Sequence, residues 1–181
     1  MPFRTLAMLA CLVVLAGCAP QTAPTREPTP QSTTASGPRT LRDLIATAPE
    51  KPVLKADASA MQQGDGFLSL PASYVSEGLT ITGLLYVPDG DGPFPGVVVV
   101  HGAVDPATFT TGSDLVREQE ALARSGHLVF APDLRGYGSA DADPSAGTDL
   151  GVGATEDVVN AGRALAASGI PVLDPTRIGL F

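Results

Sequence analysis

Apolar residues recur along this chain with two periods, and the switches between them mark the elements. Residues 73–76 and 79–87 (LTITGLLYV) are rich in β-branched and aromatic side chains, and Glu77-Gly78 between them is a turn signal. Together they predict a hairpin. The loop 88–93 (PDGDGP) gives way to Gly96 and the run Val97-Val98-Val99-Val100. A strand apolar on both faces belongs to a parallel sheet covered by helices. Residues 114–124 (DLVREQEALAR) change to helical spacing through Leu115, Gln119 and Leu122, with Ser113 as the expected cap and Gly126 as the stop. Residues 128–131 (LVFA) form a second buried strand, ended by Pro132. After a long loop, 133–153, helical spacing returns at Ala154, Val158, Ala161 and Leu165. Glu156 and Asp157 fall in the expected first turn, where the helix dipole favours acids, and Gly169 and Pro171 end the helix. Residues 177–181 (RIGLF) begin a further strand. Residues 41–46 (LRDLIA) suit one turn of helix, and 50–63 carry no clear pattern. The order is hairpin, strand, helix, strand, helix, strand. It predicts an α/β sheet, an antiparallel hairpin followed by parallel strands with helices on both faces. Such sheets bind ligands at the carboxyl ends of their strands, which directs attention to the loops after Val100, Ala131 and Phe181.

The start of the chain follows other rules. Arg4 precedes an uncharged, largely apolar stretch of twelve residues, 6–17 (LAMLACLVVLAG). A membrane-spanning helix needs roughly 20 such residues, so this stretch reads as the apolar core of an export signal. It ends in Leu15-Ala16-Gly17-Cys18, which resembles the lipobox of bacterial lipoproteins. The resemblance implies cleavage after residue 17 and acylation of Cys18. The expected partner is then membrane lipid held through Cys18, and the expected location is the cell envelope, at an outer membrane facing the periplasm or at the cell surface. Ala19 after the cysteine, rather than Asp, is similar to lipoproteins sent to an outer membrane. Several acyl chains on one residue anchor stably, whereas one chain binds only marginally. Residues 19–40 hold five Pro, six Thr and two Ser, with no apolar side chain larger than Ala. Such a segment cannot bury enough surface to fold, and its prolines favour extension, so it reads as a tether. The expected organisation is therefore a signal over 1–17, a lipidated Cys18 and tether over 18–40, an extension over 41–66 and a folded domain over 67–181.

Charge and composition then exclude several classes. The chain of 181 residues has a formal net charge of −8, with 44% hydrophobic residues. The hydrophobic share supports a core. A nucleic-acid binder needs a basic surface, so no nucleic-acid partner is expected. The two cysteines, Cys11 and Cys18, rule out a disulfide-stapled miniprotein. The only histidines are His101 and His127, which limits both metal sites and acid–base catalysis.

Candidate chemistry gathers at the strand ends. The first loop begins His101-Gly102-Ala103, and the second reads Pro132-Asp133-Leu134-Arg135-Gly136-Tyr137-Gly138. Added to them are a hairpin ending Tyr86-Val87-Pro88 and the stretch Asp174-Pro175-Thr176-Arg177-Ile178-Gly179. In this order the four motifs resemble the α/β-hydrolase superfamily, most closely its prolyl-oligopeptidase and dienelactone-hydrolase branches. The resemblance spans residues 73–181 and implies the N-terminal half of that family's sheet, interrupted in its fifth strand. Acyl transfer needs two N–H donors aimed at the oxygen that becomes negative in the transition state. In this family one comes from the loop after the third strand. Carried over, that donor is the backbone N–H of Ala103, with Gly102 giving the backbone freedom to turn and His101 in support. Asp133 and Arg135 are read as a pair that fixes its loop rather than as an acid and a substrate clamp.

Other patterns fit their chemistry poorly. Asp141, Asp143, Ser145 and Asp149 suggest a calcium loop, but Gly147 falls at the seventh place and Val152 stands where a bidentate Glu belongs. No metal and no cofactor are expected. Residues 151–156 (GVGATE) match a dinucleotide fingerprint only halfway, lacking its third Gly. His127 reads as a surface residue at a strand start.

A serine hydrolase of this family carries its nucleophile in Gly-x-Ser-x-Gly after the fifth strand. Ser113 and Ser139 each follow a glycine directly, Ser168 follows Ala166 by two, and none fits. None of the triad is therefore present. The expectation is a membrane-anchored serine hydrolase for an ester, peptide or lactone, represented by an N-terminal fragment and inactive as it stands. A small-molecule or peptide substrate follows only with C-terminal completion, and the last strand is expected to present an apolar edge prone to aggregation. The alternatives are a truncated remnant without chemistry and a lipid-anchored binding module using the acidic 141–157 segment.

Overall fold

A computed structural model describes residues 40–46, 48–143 and 151–181. Cys18, the signal and nearly all of the tether lie outside the described residues, as do Ser145, Gly147 and Asp149 of the acidic loop. Among the described residues no helix is long and apolar enough to cross a membrane.

One mixed sheet organises the domain. A short helix α1 (Leu41–Ala46) comes first, followed by two-residue strands β1 (Lys55–Ala56) and β2 (Gln62–Gln63). Then come β3 (Phe67–Ser76), β4 (Leu79–Pro88), β5 (Phe94–Val98), α2 (Val116–Arg124), β6 (Leu128–Pro132), α3 (Val152–Ala166) and β7 (Leu173–Leu180). The strand order is β1-β3-β4-β6-β5-β7, with β2 also on β3. β3, β4 and β6 pair antiparallel in sequence, and β5 runs parallel to β6 and β7.

The β3–β4 hairpin turns at Glu77-Gly78, both with positive φ (50° and 80°). That backbone twist matches the flanking strands. β3 is longer than the sequence pattern predicts, because Pro71 and two serines interrupt its alternation while Phe67 and Leu70 still face the core. β7 likewise begins four residues early, through Asp174-Pro175, and reaches β5 across an irregularity at Pro95/Gly96.

Alternation along the central strands feeds two cores, one on each face. Leu85, Val98, Leu128 and Phe130 pack with Ala161, Ala164 and Leu165 of α3. Their neighbours Tyr86, Val99 and Val129 pack with Ala123 of α2, with Leu122 against them. The continuous valine run is thus apolar on both faces because each face carries a helix.

Two helix starts differ from the sequence pattern. α2 begins at Val116, two residues late, after Leu115 in the left-handed region (φ 58°), and Ser113 does not cap it. The Ser113 hydroxyl instead accepts the Thr110 N–H, and Asp114 is drawn away to the loop after β5. α3 begins at Val152, so Glu156 and Asp157 fall in the second turn and are buried. Asp157 is buried against Arg135, a tertiary ion pair rather than a helix-dipole effect.

β7 pairs only with β5 among the described residues, and Leu180 and Phe181 are 63% and 60% exposed.

Candidate active site at the strand ends

The crossovers from β5 and from β6 leave on opposite faces of the sheet, because α2 covers one and α3 the other. The strand order reverses at β5, so a crevice opens outside its carboxyl end. β5-type pairing continues past Val98: Val99 N–H bonds Phe130 O and Val100 N–H bonds Phe181 O, each at 2.9 Å. His101, Gly102 and Ala103 emerge directly from this fixed base.

The Gly102–Ala103 peptide is held on its carbonyl side. Gly102 O accepts from His101 Nδ1 at 2.8 Å and from Val104 N–H at 3.0 Å. Within one planar peptide the C=O and N–H point opposite ways. Holding the carbonyl therefore turns Ala103 N–H outward, and among the described residues it has no hydrogen-bond partner. Ala103 is exposed. Gly102 N–H is fixed separately by Asp114 Oδ2 at 2.9 Å. Asp114 is itself tied to the core: its carbonyl accepts from Gln119 Nε2 at 2.5 Å, and Gln119 Oε1 accepts from Tyr86 Oη at 2.9 Å. Burial, with the nearby Glu120 charge, pushes the Tyr86 phenol up to about 12. Sequence reasoning missed Asp114 and Gln119. A buried glutamine on the apolar face of α2 was the available signal.

Gly102 itself needs correction. Its φ is not among the positive ones, and a Cβ built there meets only Asp114 Oδ2, at 3.8 Å. Neither backbone freedom nor space requires glycine at this position.

Asp133 and Arg135 both make structural contacts that fasten the loop, but each through its own network. Asp133 is fully buried. Its Oδ2 accepts from Thr82 Oγ1 at 2.5 Å and Thr111 Oγ1 at 2.8 Å, and its Oδ1 takes the Gly112 N–H at 3.3 Å. One carboxylate thereby joins β4, the loop after β5 and the loop after β6. Gly138 (φ 54°) passes so close that a Cβ would lie 2.6 Å from Asp133 Oδ2. Arg135 faces α3. It grips Asp157 through Nε at 2.9 Å and Nη2 at 2.8 Å, Asp143 at 2.7 Å and Glu77 at 3.1 Å. Burial opposes its charge, but the carboxylate bonds, Asp157 first, outweigh burial and push its pKa further up. Asp141 accepts the Thr80 N–H at 2.7 Å. The two described carboxylates of the acidic loop, Asp141 and Asp143, thus fasten that loop to the hairpin and to Arg135.

Nucleophile chemistry is not assembled among the described residues. One serine–histidine contact occurs, Ser125 Oγ to His127 Nδ1 at 3.0 Å, at the end of α2. The Ser125 hydroxyl donates its proton to Leu122 O at 2.8 Å, so His127 does not receive it. The contact also lies at the start of β6, the opposite end of the sheet from Ala103. A hollow of about 280 Å³ is lined by Glu50, Glu77, Glu156, Asn160 and Arg163 among others, and by none of His101, Gly102 or Ala103. The Glu50 carboxylate there already accepts the Glu77 N–H and Asn160 Nδ2.

The strand order and the two-sided helix cover define the fold as that of the α/β-hydrolases, present as a partial sheet. No family model matches the sequence, and no curated protein matches it. Among solved structures, a proposed acetyl xylan esterase from Bacteroides fragilis is 13% identical with a TM-score of 0.50. The match covers 72% of this chain and 42% of that one. Acetyl xylan esterase 1 from a Thermoanaerobacterium strain is 19% identical with a TM-score of 0.48, over 75% of this chain and 45% of that one. The chain therefore spans less than half the length of these structures, and at such identities the likeness concerns the fold alone.

Proposed function

We propose that this chain supplies the oxyanion-binding half of a serine-hydrolase site that transfers an acyl group to water. The observation that carries the reading is Ala103 N–H. It is an outward donor, unpartnered among the described residues, at the carboxyl end of β5, on a peptide held by His101 and Val104. Such a preoriented donor stabilises a developing alkoxide without reorganising during the reaction. The substrate is an ester, a peptide or a lactone. Ester comes first for testing, since the fold neighbours are esterases by name. No Gly-x-Ser-x-Gly occurs within these 181 residues, so the chain alone is expected to be inactive and the nucleophile to come from further sequence. The resemblance at residues 15–18 supports lipid anchoring at Cys18 in the cell envelope. A fatty-acid label should enter the protein and be lost in Cys18→Ala.

A fluorophosphonate probe tests the catalytic reading. It should label a longer product of the same gene and leave the 181-residue chain unlabelled. Labelling of the 181-residue chain would overturn the assignment.

A further inference from the structure

Tyr137 ties the far side of the Ala103 turn to the rest of the fold. The loop after β6 sets it in place. Leu134, Gly136 and Gly138 all have positive φ (59°, 79° and 54°), so the chain turns sharply on either side of Tyr137. Its own backbone is pinned: Tyr137 N–H donates to Leu134 O at 3.3 Å, and Tyr137 O accepts from Ala140 N–H at 2.9 Å. From this fixed loop the side chain crosses to the loop after β5. Its hydroxyl donates to Val104 O at 3.3 Å. Its ring centroid lies 4.5 Å from that of His101 and 5.4 Å from that of Phe109, the latter edge-on.

Residues 104–109 otherwise bond only within their own loop. Val104 N–H returns to Gly102 O, and the N–H groups of Thr108 and Phe109 both return to Asp105 O. Ala107 N–H and the Thr108 hydroxyl also bond Asp105. Among the described residues, the Tyr137 hydroxyl therefore makes the sole hydrogen bond from 104–109 to another loop. Ala103 stands between two anchors. Upstream, Asp114 and His101 hold the two backbone groups of Gly102. Downstream, the hydrogen bonding depends on Tyr137, with Phe109 packed on His101 beside it. A donor aimed at a transition state acts only as well as its flanking peptides are fixed.

We infer that Tyr137 is a positioning residue whose hydroxyl, set on the Val104 carbonyl, fixes the downstream side of the turn that carries Ala103 N–H. The link to catalysis rests on the acyl-transfer reading, but the anchoring of the turn does not.

Two variants of the full 181-residue chain separate this role from general stability. Tyr137→Phe keeps the ring and removes the hydroxyl. Tyr74→Phe makes the same deletion beneath α3, where the Tyr74 hydroxyl donates to Asp157 O at 2.7 Å. Backbone order parameters at Ala103, Val104 and Asp105 should be about 0.85 in the parent chain and in Tyr74→Phe, and below about 0.6 in Tyr137→Phe. Parent values retained in Tyr137→Phe, or an equal fall in Tyr74→Phe, would overturn the inference. In a longer product that the fluorophosphonate probe labels, Tyr137→Phe should slow labelling at saturating probe about tenfold and leave the half-saturating concentration within about twofold. An unchanged labelling rate would overturn the catalytic role. An unlabelled longer parent would overturn the acyl-transfer reading instead, while the order parameters decide the anchor without any activity.

Discussion

The loop after β6 is anchored by charge buried beneath it, whereas the loop after β5 is anchored by hydrogen bonds and leaves one backbone donor facing outward. Under the first, Asp133 and Asp157 are fully buried, and each collects several donors. Under the second, Asp114, Gln119 and Tyr86 form a relay that ends in the core on the α2 face. A buried ion pair is unforgiving, because loss of one partner strands the other. A relay of hydrogen bonds without a buried ion pair yields more gradually.

The contrast can be broken most forcefully at Arg135. Arg135→Leu leaves Asp157 buried without a counter-charge and should cost about 3–5 kcal/mol in urea unfolding. A loss below about 1 kcal/mol would mean that the floor is not held by charge. Asp133→Ala strands two hydroxyls and the Gly112 N–H and should cost about 2–3 kcal/mol by the same measurement. The relay under the other loop is addressed by alkali. The Tyr86 phenol is raised from 10.0 to about 12, so the folded state holds its proton where the unfolded state has released it. Its stabilisation is present below about pH 10 and is lost as pH rises towards 12, on the order of 2 kcal/mol. Tyr86→Phe should flatten that part of the stability profile. The smallest effects separate two glycines. Gly138→Ala meets Asp133 at a positive φ and should cost about 1–2 kcal/mol, while Gly102→Ala should stay within about 0.5 kcal/mol.

Much of the sheet was readable in the pattern. The valine run, the LVFA strand and the Glu77-Gly78 turn lie where their spacing put them, because local alternation and turn chemistry act within a few residues. Ala103, Gly102 and His101 were legible as a strand-end motif, but the need for glycine at 102 was not real. Asp133 and Arg135 share one strand-end motif that reads as a loop-fixing pair, and both do fasten the loop. The left-handed Leu134 between them (φ 59°) breaks the strand alternation, and the two side chains reach the hairpin and α3 respectively.

The amino-acid sequence by itself determined the order of strands and helices, the two-sided burial of the central strands, and the absence of Gly-x-Ser-x-Gly from these residues. Those properties follow from periodicity and residue identity along the chain. Only the tertiary structure decided that Asp157 lies under Arg135, that Asp114 fixes Gly102, and that both nitrogens of His101 meet carbonyls. Each of these contacts joins segments that local pattern does not relate, or depends on the precise turn of a loop. Burial and hydrogen-bond geometry select them, and neither exists until the sheet has closed around them.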